Sequence, residues 1–281
     1  MSANPLLKHF RQPAIYVSLP SLGQYWPEGS IDIPVTGEIP VYPLTAKDEI
    51  TLRTPDSLIN GTSVTSVVES CCPNIKNAWA MPSIDVDALL MSIRIASYGH
   101  DMTITVQCPH CKESNDYLVD LRNTLAKITC PDYSQLLDID GLKIKLKPQP
   151  YFSVNKVNMT RYQEQKTMAH LQNADIPESE RLSAFKDELN KLVALNLEIV
   201  ADSTEYIQTE DNTIVTDTAY ILEYYNNCES RVTKALQEKF AELNKQAGAR
   251  PEKIICGNAD CKKPFDSDLT FDYSSFFADG F

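Results

Sequence analysis

Four of the eight cysteines in this 281-residue chain stand in two spaced pairs, Cys108-x-x-Cys111 and Cys256-x4-Cys261. Residues suited to strands flank each pair, with Pro109 in the first turn and Gly257 in the second. Each pair therefore reads as a knuckle, a turn in which two thiolates converge on one ion. Two knuckles supply four sulfurs, the closed tetrahedral shell that structural Zn²⁺ takes with Zn–S bonds of about 2.3 Å. The expected chemistry is a structural zinc site at Cys108, Cys111, Cys256 and Cys261. The long interval between the pairs is no obstacle, because loop-closure entropy grows only logarithmically with length. Competing readings are a redox C-x-x-C, a disulfide and four unrelated core thiols. The residues after Cys111 read as strand, whereas a thioredoxin-like redox motif needs a helix there. A chain expected in the cytosol also disfavours disulfides. His110 lies inside the first turn and is expected to point outward. Cys71, Cys72, Cys130 and Cys228 have no partner at ligand spacing and read as ordinary core or surface thiols.

No catalytic set accompanies the cysteines, and no enzymatic activity is expected. Only four histidines exist, none in a metalloprotease motif or beside a nucleophile elbow, and there is neither a phosphate loop nor a G-x-G-x-x-G. Asp85 and Asp87 resemble a paired-carboxylate site, but the first turn of a helix accounts for them through the helix dipole. Asp138, Asp140, Asp211 and Asn212 read as turn chemistry. A zinc held by four thiolates has no open position for substrate or water, so the metal also argues for architecture. The formal charge of −12 repels phosphate backbones and anionic lipid surfaces, which excludes nucleic acid and membrane as expected partners. No apolar run approaches the roughly 20 residues of a membrane span, and Met1 to Gln12 lacks the apolar core of a signal peptide.

The elements that must position the knuckles follow from periodicity. Pro and Gly crowd the first forty residues and predict an extended arm, with Ile31, Ile33 and Val35 forming a hairpin against Ile39 and Val41 around Thr36-Gly37. Short helices are predicted from a Thr45 cap to about Arg53, from Gly61 to a stop at Pro73, and from a Ser83 cap to Gly99. Alternation at Met102, Ile104 and Val106, then from Asp116 to Leu121, gives strand, knuckle, strand. A further strand at Leu142, Ile144 and Leu146 follows the Asp140-Gly141 turn. Ser153 to Gly248 reads as a helical block closed by Gly248 and Pro251, with a polar loop at Asp202 to Asp217. Its stripes at Leu182, Phe185, Leu189 and Leu192 and at Val232, Leu236, Phe240 and Leu243 are expected to bury against each other as a projecting antiparallel pair, the alternative being that these helices cover the sheet. Tyr220, Tyr224 and Tyr225 either line a partner surface or pack within the block. Strand returns at Ile254-Ile255, and alternation resumes at Phe265, Leu269, Phe271 and Tyr273.

The reading is an α+β fold in four parts. Residues 1–43 form the arm and 44–100 a small helical segment. Residues 101–150 plus 250–281 form a zinc-stapled, zinc-ribbon-like β module, and 151–249 a large helical insertion between the two knuckles.

Leu19-Pro20-Ser21-Leu22-Gly23-Gln24-Tyr25-Trp26-Pro27-Glu28-Gly29, followed by Gly37-Glu38-Ile39-Pro40-Val41-Tyr42-Pro43-Leu44-Thr45-Ala46-Lys47-Asp48-Glu49, resembles the opening of the baseplate hub and hub-assembly proteins of T-even-like contractile-tailed phages. The likeness covers about residues 15–120 and thins over the helical block. It implies a structural or assembly component of a contractile tail baseplate that holds neighbouring tail proteins in register without catalysis. The alternative it implies is a transient tail-assembly chaperone, binding the tape-measure protein or a hub precursor and absent from the mature virion. The implied setting is the virion tail, assembled in host cytoplasm, with oligomerisation inside a symmetric assembly compatible with it.

Overall fold

The structure, a computed structural model, describes residues 4–54, 61–173, 178–247, 252–267 and 276–277. Two apolar cores organise it. The first gathers β1 (Ile15–Val17), β2 (Ile39–Val41), α1 (Ala46–Leu52), α2 (Thr62–Cys71) and α3 (Ser83–Tyr98). β1 pairs antiparallel with β2, Ile15 opposite Val41 and Val17 opposite Ile39, so the hairpin expected between Ile31–Val35 and Ile39–Val41 is not formed. The reason is local: Pro34 has no N–H to give a ladder, and it instead accepts the Gly37 N–H in a turn that leaves Val35 fully exposed. Ile31 bridges Ile75 on the loop after α2.

α1 starts as expected at Thr45, in a reciprocal capping box. Thr45 Oγ1 accepts from the Asp48 N–H at 3.3 Å, and Asp48 Oδ2 accepts from the Thr45 N–H at 2.8 Å. Arg11 pins the preceding segment onto this helix and onto α2. It donates to Pro43 O at 2.6 Å and Ser70 O at 2.7 Å, and pairs with Asp48 at 3.3 Å. α2 presents Val64, Val67, Val68 and Cys71 to the core and stops before Pro73. α3 is capped by the Pro82 position rather than a Ser83 side chain, and Ile84 to Ile93 is buried nearly all round, as expected of a helix through a core.

The second core lies between a sheet and its covering helices. Asp140 and Gly141, with φ of 55° and 78°, make the two-residue turn joining β5 (Leu136–Ile139) to β6 (Leu142–Leu146). After the long helices α5 (Tyr151–Asn173) and α6 (Glu178–Asp202), the expected polar loop at 202–217 is instead the hairpin of β7 (Thr204–Gln208) and β8 (Ile214–Val215). β7 pairs with β6, so the sheet order is β5-β6-β7-β8 and the pairing crosses the expected break at residue 150. α7 (Thr218–Asn227) and α8 (Ser230–Gln246) complete this half. Val232, Leu236 and Leu243 join Ile144, Leu146 and Ile207 in one core, so this stripe covers the sheet instead of closing a free helical pair. The side chains of Leu182, Phe185 and Leu189 lie outside the description, as do Gly248, Pro251, Leu269, Phe271 and Tyr273. Tyr225 is buried, its hydroxyl 2.9 Å from Thr204 Oγ1, whereas Tyr220 faces solvent.

A seam joins the cores. Ser83 N–H donates to Gln149 O at 2.7 Å, Tyr151 N–H to Met81 O at 2.8 Å, and the Tyr25 and Tyr133 rings meet edge-on at 5.6 Å. Phe276 and Phe277 sit in the first core, with the Arg94 guanidinium 5.4 Å from the Phe276 ring.

Candidate metal centre

Two hairpins carry the paired cysteines. β3 (Asp101–Gln107) and β4 (Ser114–Asp120), which runs into the short helix α4 (Leu121–Leu125), pair up to Gln107 opposite Ser114, leaving residues 108–113 as the connecting loop. β9 (Glu252–Ile255) and β10 (Pro264–Ser267) pair up to Ile255 opposite Pro264, leaving residues 256–263.

The two loops share one construction. In each, the N–H of the first cysteine donates to the carbonyl two residues beyond the second: Cys108 to Glu113 at 2.9 Å, Cys256 to Lys263 at 3.0 Å. In each, the lysine after the second cysteine is left-handed, φ being 65° at Lys112 and 45° at Lys262. The longer spacing of the second pair is absorbed at Asn258, whose carbonyl accepts from Cys261 and Lys262 and whose side chain accepts from the Asp260 N–H at 2.8 Å. The x4 spacing thus closes a turn with the same backbone pattern as the x2 spacing.

All four sequence-predicted ligands come together, their sulfurs lying within 4.8 Å of one another. Cys108 and Cys261 are 4.0 Å apart and Cys111 and Cys256 3.6 Å apart. A disulfide would need about 2.05 Å, whereas bonds of about 2.3 Å to a central ion put the edges of a thiolate tetrahedron at about 3.8 Å. The arrangement has the dimensions of a site for a metal ion. Among the described residues it is the one cluster of three or more His, Cys, Asp or Glu side chains placed to share such an ion. His110 is exposed and outside the cluster. Cys71 and Cys72 are buried in the first core, and Cys130 and Cys228 lie apart.

Burial opposes ionisation of Cys108, but the N–H groups of Cys111 and His110 and the neighbouring thiols outweigh it and bring the group down to about 7. Burial pushes Cys256 up to about 12, helped by the protons it shares with Cys111, Cys108 and Cys261. One thiolate forms readily, and four together require a cation among them.

Residues that spacing alone did not single out fasten one hairpin to the other. The Tyr117 hydroxyl accepts from the Gly257 N–H at 3.3 Å, and its ring meets Phe265 edge-on at 6.4 Å. Asn115 Nδ2 approaches Cys256 Sγ at 4.0 Å, and a Cβ on Gly257 would come within 2.9 Å of Asn115 Oδ1. Asn258 Nδ2 donates to the Glu113 carboxylate. Strand alternation was the available signal, since it sets Asn115 and Tyr117 on one face beside the knuckle.

Asp85 lies in the first turn of α3 as expected and is fully buried there. It accepts from the Ser21 N–H at 2.9 Å, the Ser21 hydroxyl at 2.5 Å and the Trp26 indole at 2.8 Å. Ser21 and Trp26 belong to the stretch from Leu19 to Gly29 that carries the phage-tail resemblance.

Residues 19–278 match the family described as T4 bacteriophage base plate protein. The chain belongs to that family. The match begins at Leu19 and runs through α5 to α8. Membership of the base plate family makes this a structural protein of the phage tail, with other tail proteins as its partners. No curated protein and no solved structure matches the chain. Among the described residues, no helix is long and apolar enough to cross a membrane.

Proposed function

We propose that the protein is a hub component of a contractile-tail baseplate that holds neighbouring tail proteins in register without catalysing a reaction. We further propose that Cys108, Cys111, Cys256 and Cys261 hold one structural Zn²⁺ in it. The baseplate part of the first reading is supported by the family match over residues 19–278, and the hub part by the resemblance of the stretch from Leu19 to Glu49. The zinc is supported by the chemistry of the donors. Four soft thiolates at tetrahedral spacing suit Zn²⁺, and with all four positions taken the ion offers none to a substrate or water. Zinc here is a fastener. Cys111 and Cys256 are 145 residues apart in the chain, so the ion ties strands from its middle to strands far downstream.

The protein is assembled in host cytoplasm and stays in the virion tail. Quantitative mass spectrometry of purified virions tests this, with a fixed stoichiometry against other baseplate proteins expected. Absence from virions, together with presence on unfinished tails or on the tape-measure protein, would overturn it in favour of a transient assembly chaperone. Elemental analysis of the reduced protein tests the metal, with one zinc per chain expected.

A further inference from the structure

Asn4 Oδ1 accepts from the Leu6 N–H at 3.0 Å and caps a single 3-10 turn, Pro5–His9, in which no residue is buried. Leu6, Leu7 and, just after the turn, Phe10 are each more than half exposed. Arg11 fixes the base of this segment to the carbonyls of Pro43 and Ser70, while the apolar side chains ahead of it stay in water. The charge of the segment is one-sided. Lys8 and His9 stand among the three apolar residues, and no Asp or Glu occurs before Glu28 in a chain of net charge −12.

A second exposed apolar patch has the opposite sign. Leu22, Ile33 and Val35 are exposed, and a Cβ on Gly23 would come within 1.9 Å of Ile33 Cδ1, so the loop around Leu22 touches the segment carrying Ile33 and Val35. That loop is held in a costly shape. Ser21 and Trp26 bond it to buried Asp85, and between them Leu22 and Tyr25 are left-handed, φ being 53° and 68°. Such backbone persists where the surroundings impose it, and it clusters at sites of contact. Residues 28–38 contain Glu28, Asp32 and Glu38 and neither Lys nor Arg. Asp32 pairs with Lys76 at 3.6 Å, and among the described residues no cation reaches Glu28 or Glu38.

We propose that the Pro5–Phe10 segment of one copy of the protein docks on the patch of Leu22, Ile33 and Val35 of a second copy, with Lys8 drawn to Glu28 and Glu38. Two copies of so acidic a chain repel each other in general, and this pairing sets the acid-free segment of one against the cation-free segment of the other. The two surfaces differ, so the contact runs head to tail, the arrangement from which rings are closed. The inference rests on the reading of the protein as one that holds its neighbours in register, and it names a further copy as one of them.

The test uses the full chain with its metal and two variants changed only at exposed side chains, each checked for unchanged metal content and unfolding midpoint. One alters the docking segment (Leu6→Ser, Leu7→Ser, Phe10→Ser) and the other the patch (Leu22→Asn, Val35→Ser), asparagine being at ease in a left-handed position. Sedimentation velocity is expected to show reversible association of the native chain, about tenfold weaker in each variant and weakened by salt. Mixing the two variants should restore association but stop it at dimers, since the first keeps its patch and the second its docking segment. A native chain that stays monomeric, variants that associate as the native chain does, or a mixture no more associated than its components would overturn the proposal. A monomeric chain still found in virions overturns this contact and leaves the structural reading standing. Head-to-tail association of a protein absent from virions does the reverse.

Discussion

The Trp26 indole N–H points at Asp85 Oδ2 across 2.8 Å, and this buried contact holds the loop from Leu19 to Gly29 against the helix that crosses the first core. Trp26→Phe keeps the ring's apolar bulk and removes the donor. Removing the donor leaves a buried acceptor short of a partner, which costs about 1–3 kcal/mol, and that is the expected loss in urea unfolding. A loss below about 0.5 kcal/mol would mean that packing, not the carboxylate, holds the loop.

Asp85 should also make stability depend on pH. Burial is the larger influence and raises its pKa, with the donors of Ser21 and Trp26 pulling it part of the way back. In the unfolded chain it ionises near its ordinary value of about 3.9. The folded form therefore keeps a proton that the unfolded form gives up. Its contribution is fully present below about pH 3.9 and is lost as pH rises through the folded value. The stability of the native chain relative to Asp85→Asn should fall as pH rises from about 4. A difference that grows with pH would show that the donors outweigh burial.

The metal can be tested by non-additivity. Cys108→Ser and Cys256→Ser should each reduce bound metal from about one per chain to near zero and shift unfolding to lower denaturant. The double variant should be little worse than either single one, because the shared interaction is already gone. Additive losses with retained metal would show that the thiols act separately.

The left-handed lysines make a backbone prediction. Lys112→Val and Lys262→Val place a β-branched residue at φ of 65° and 45° and should each be less stable than the matching glycine variant by about 1–3 kcal/mol. Thermal unfolding of the four variants decides it. Equal stability within a pair would mean that the knuckle relaxes.

Gly23, with φ of 79°, is a second such position. A Cβ there would lie 1.9 Å from Ile33 Cδ1, the movable end of a side chain. Gly23→Ala should cost about 1–2 kcal/mol from the backbone alone. Adding Ile33→Ala should recover only the smaller part of the total loss, measured by the same unfolding assay.

What the sequence revealed follows the range of the interactions. The two cysteine-bearing turns and the Thr45–Asp48 box were legible because their partners lie within a few residues, and the Asp140-Gly141 turn because its backbone demands those residue types. Asp85 was legible as a first-turn residue but its partners were not, because Ser21 and Trp26 lie 64 and 59 residues away and only the folded core brings them together. β7 was missed because Thr204 to Gln208 is mostly polar, and its place is fixed by pairing with β6 across α5 and α6. The partner of β2 was misassigned because Ile31, Ile33 and Val35 alternate well while Pro34 interrupts the ladder they would need.

The separation of 145 positions between Cys111 and Cys256 is also a separation in time. At about 5–20 residues per second, a ribosome needs roughly 7–30 s after making the first knuckle before it has made Cys256. Phe276 and Phe277 come later still, so a nascent chain carries two waiting thiols and a first core with an unfilled seat. Synonymous codons that slow translation between residues 112 and 255 would lengthen that interval, leaving the finished sequence unchanged while raising the fraction of chains lost to aggregation.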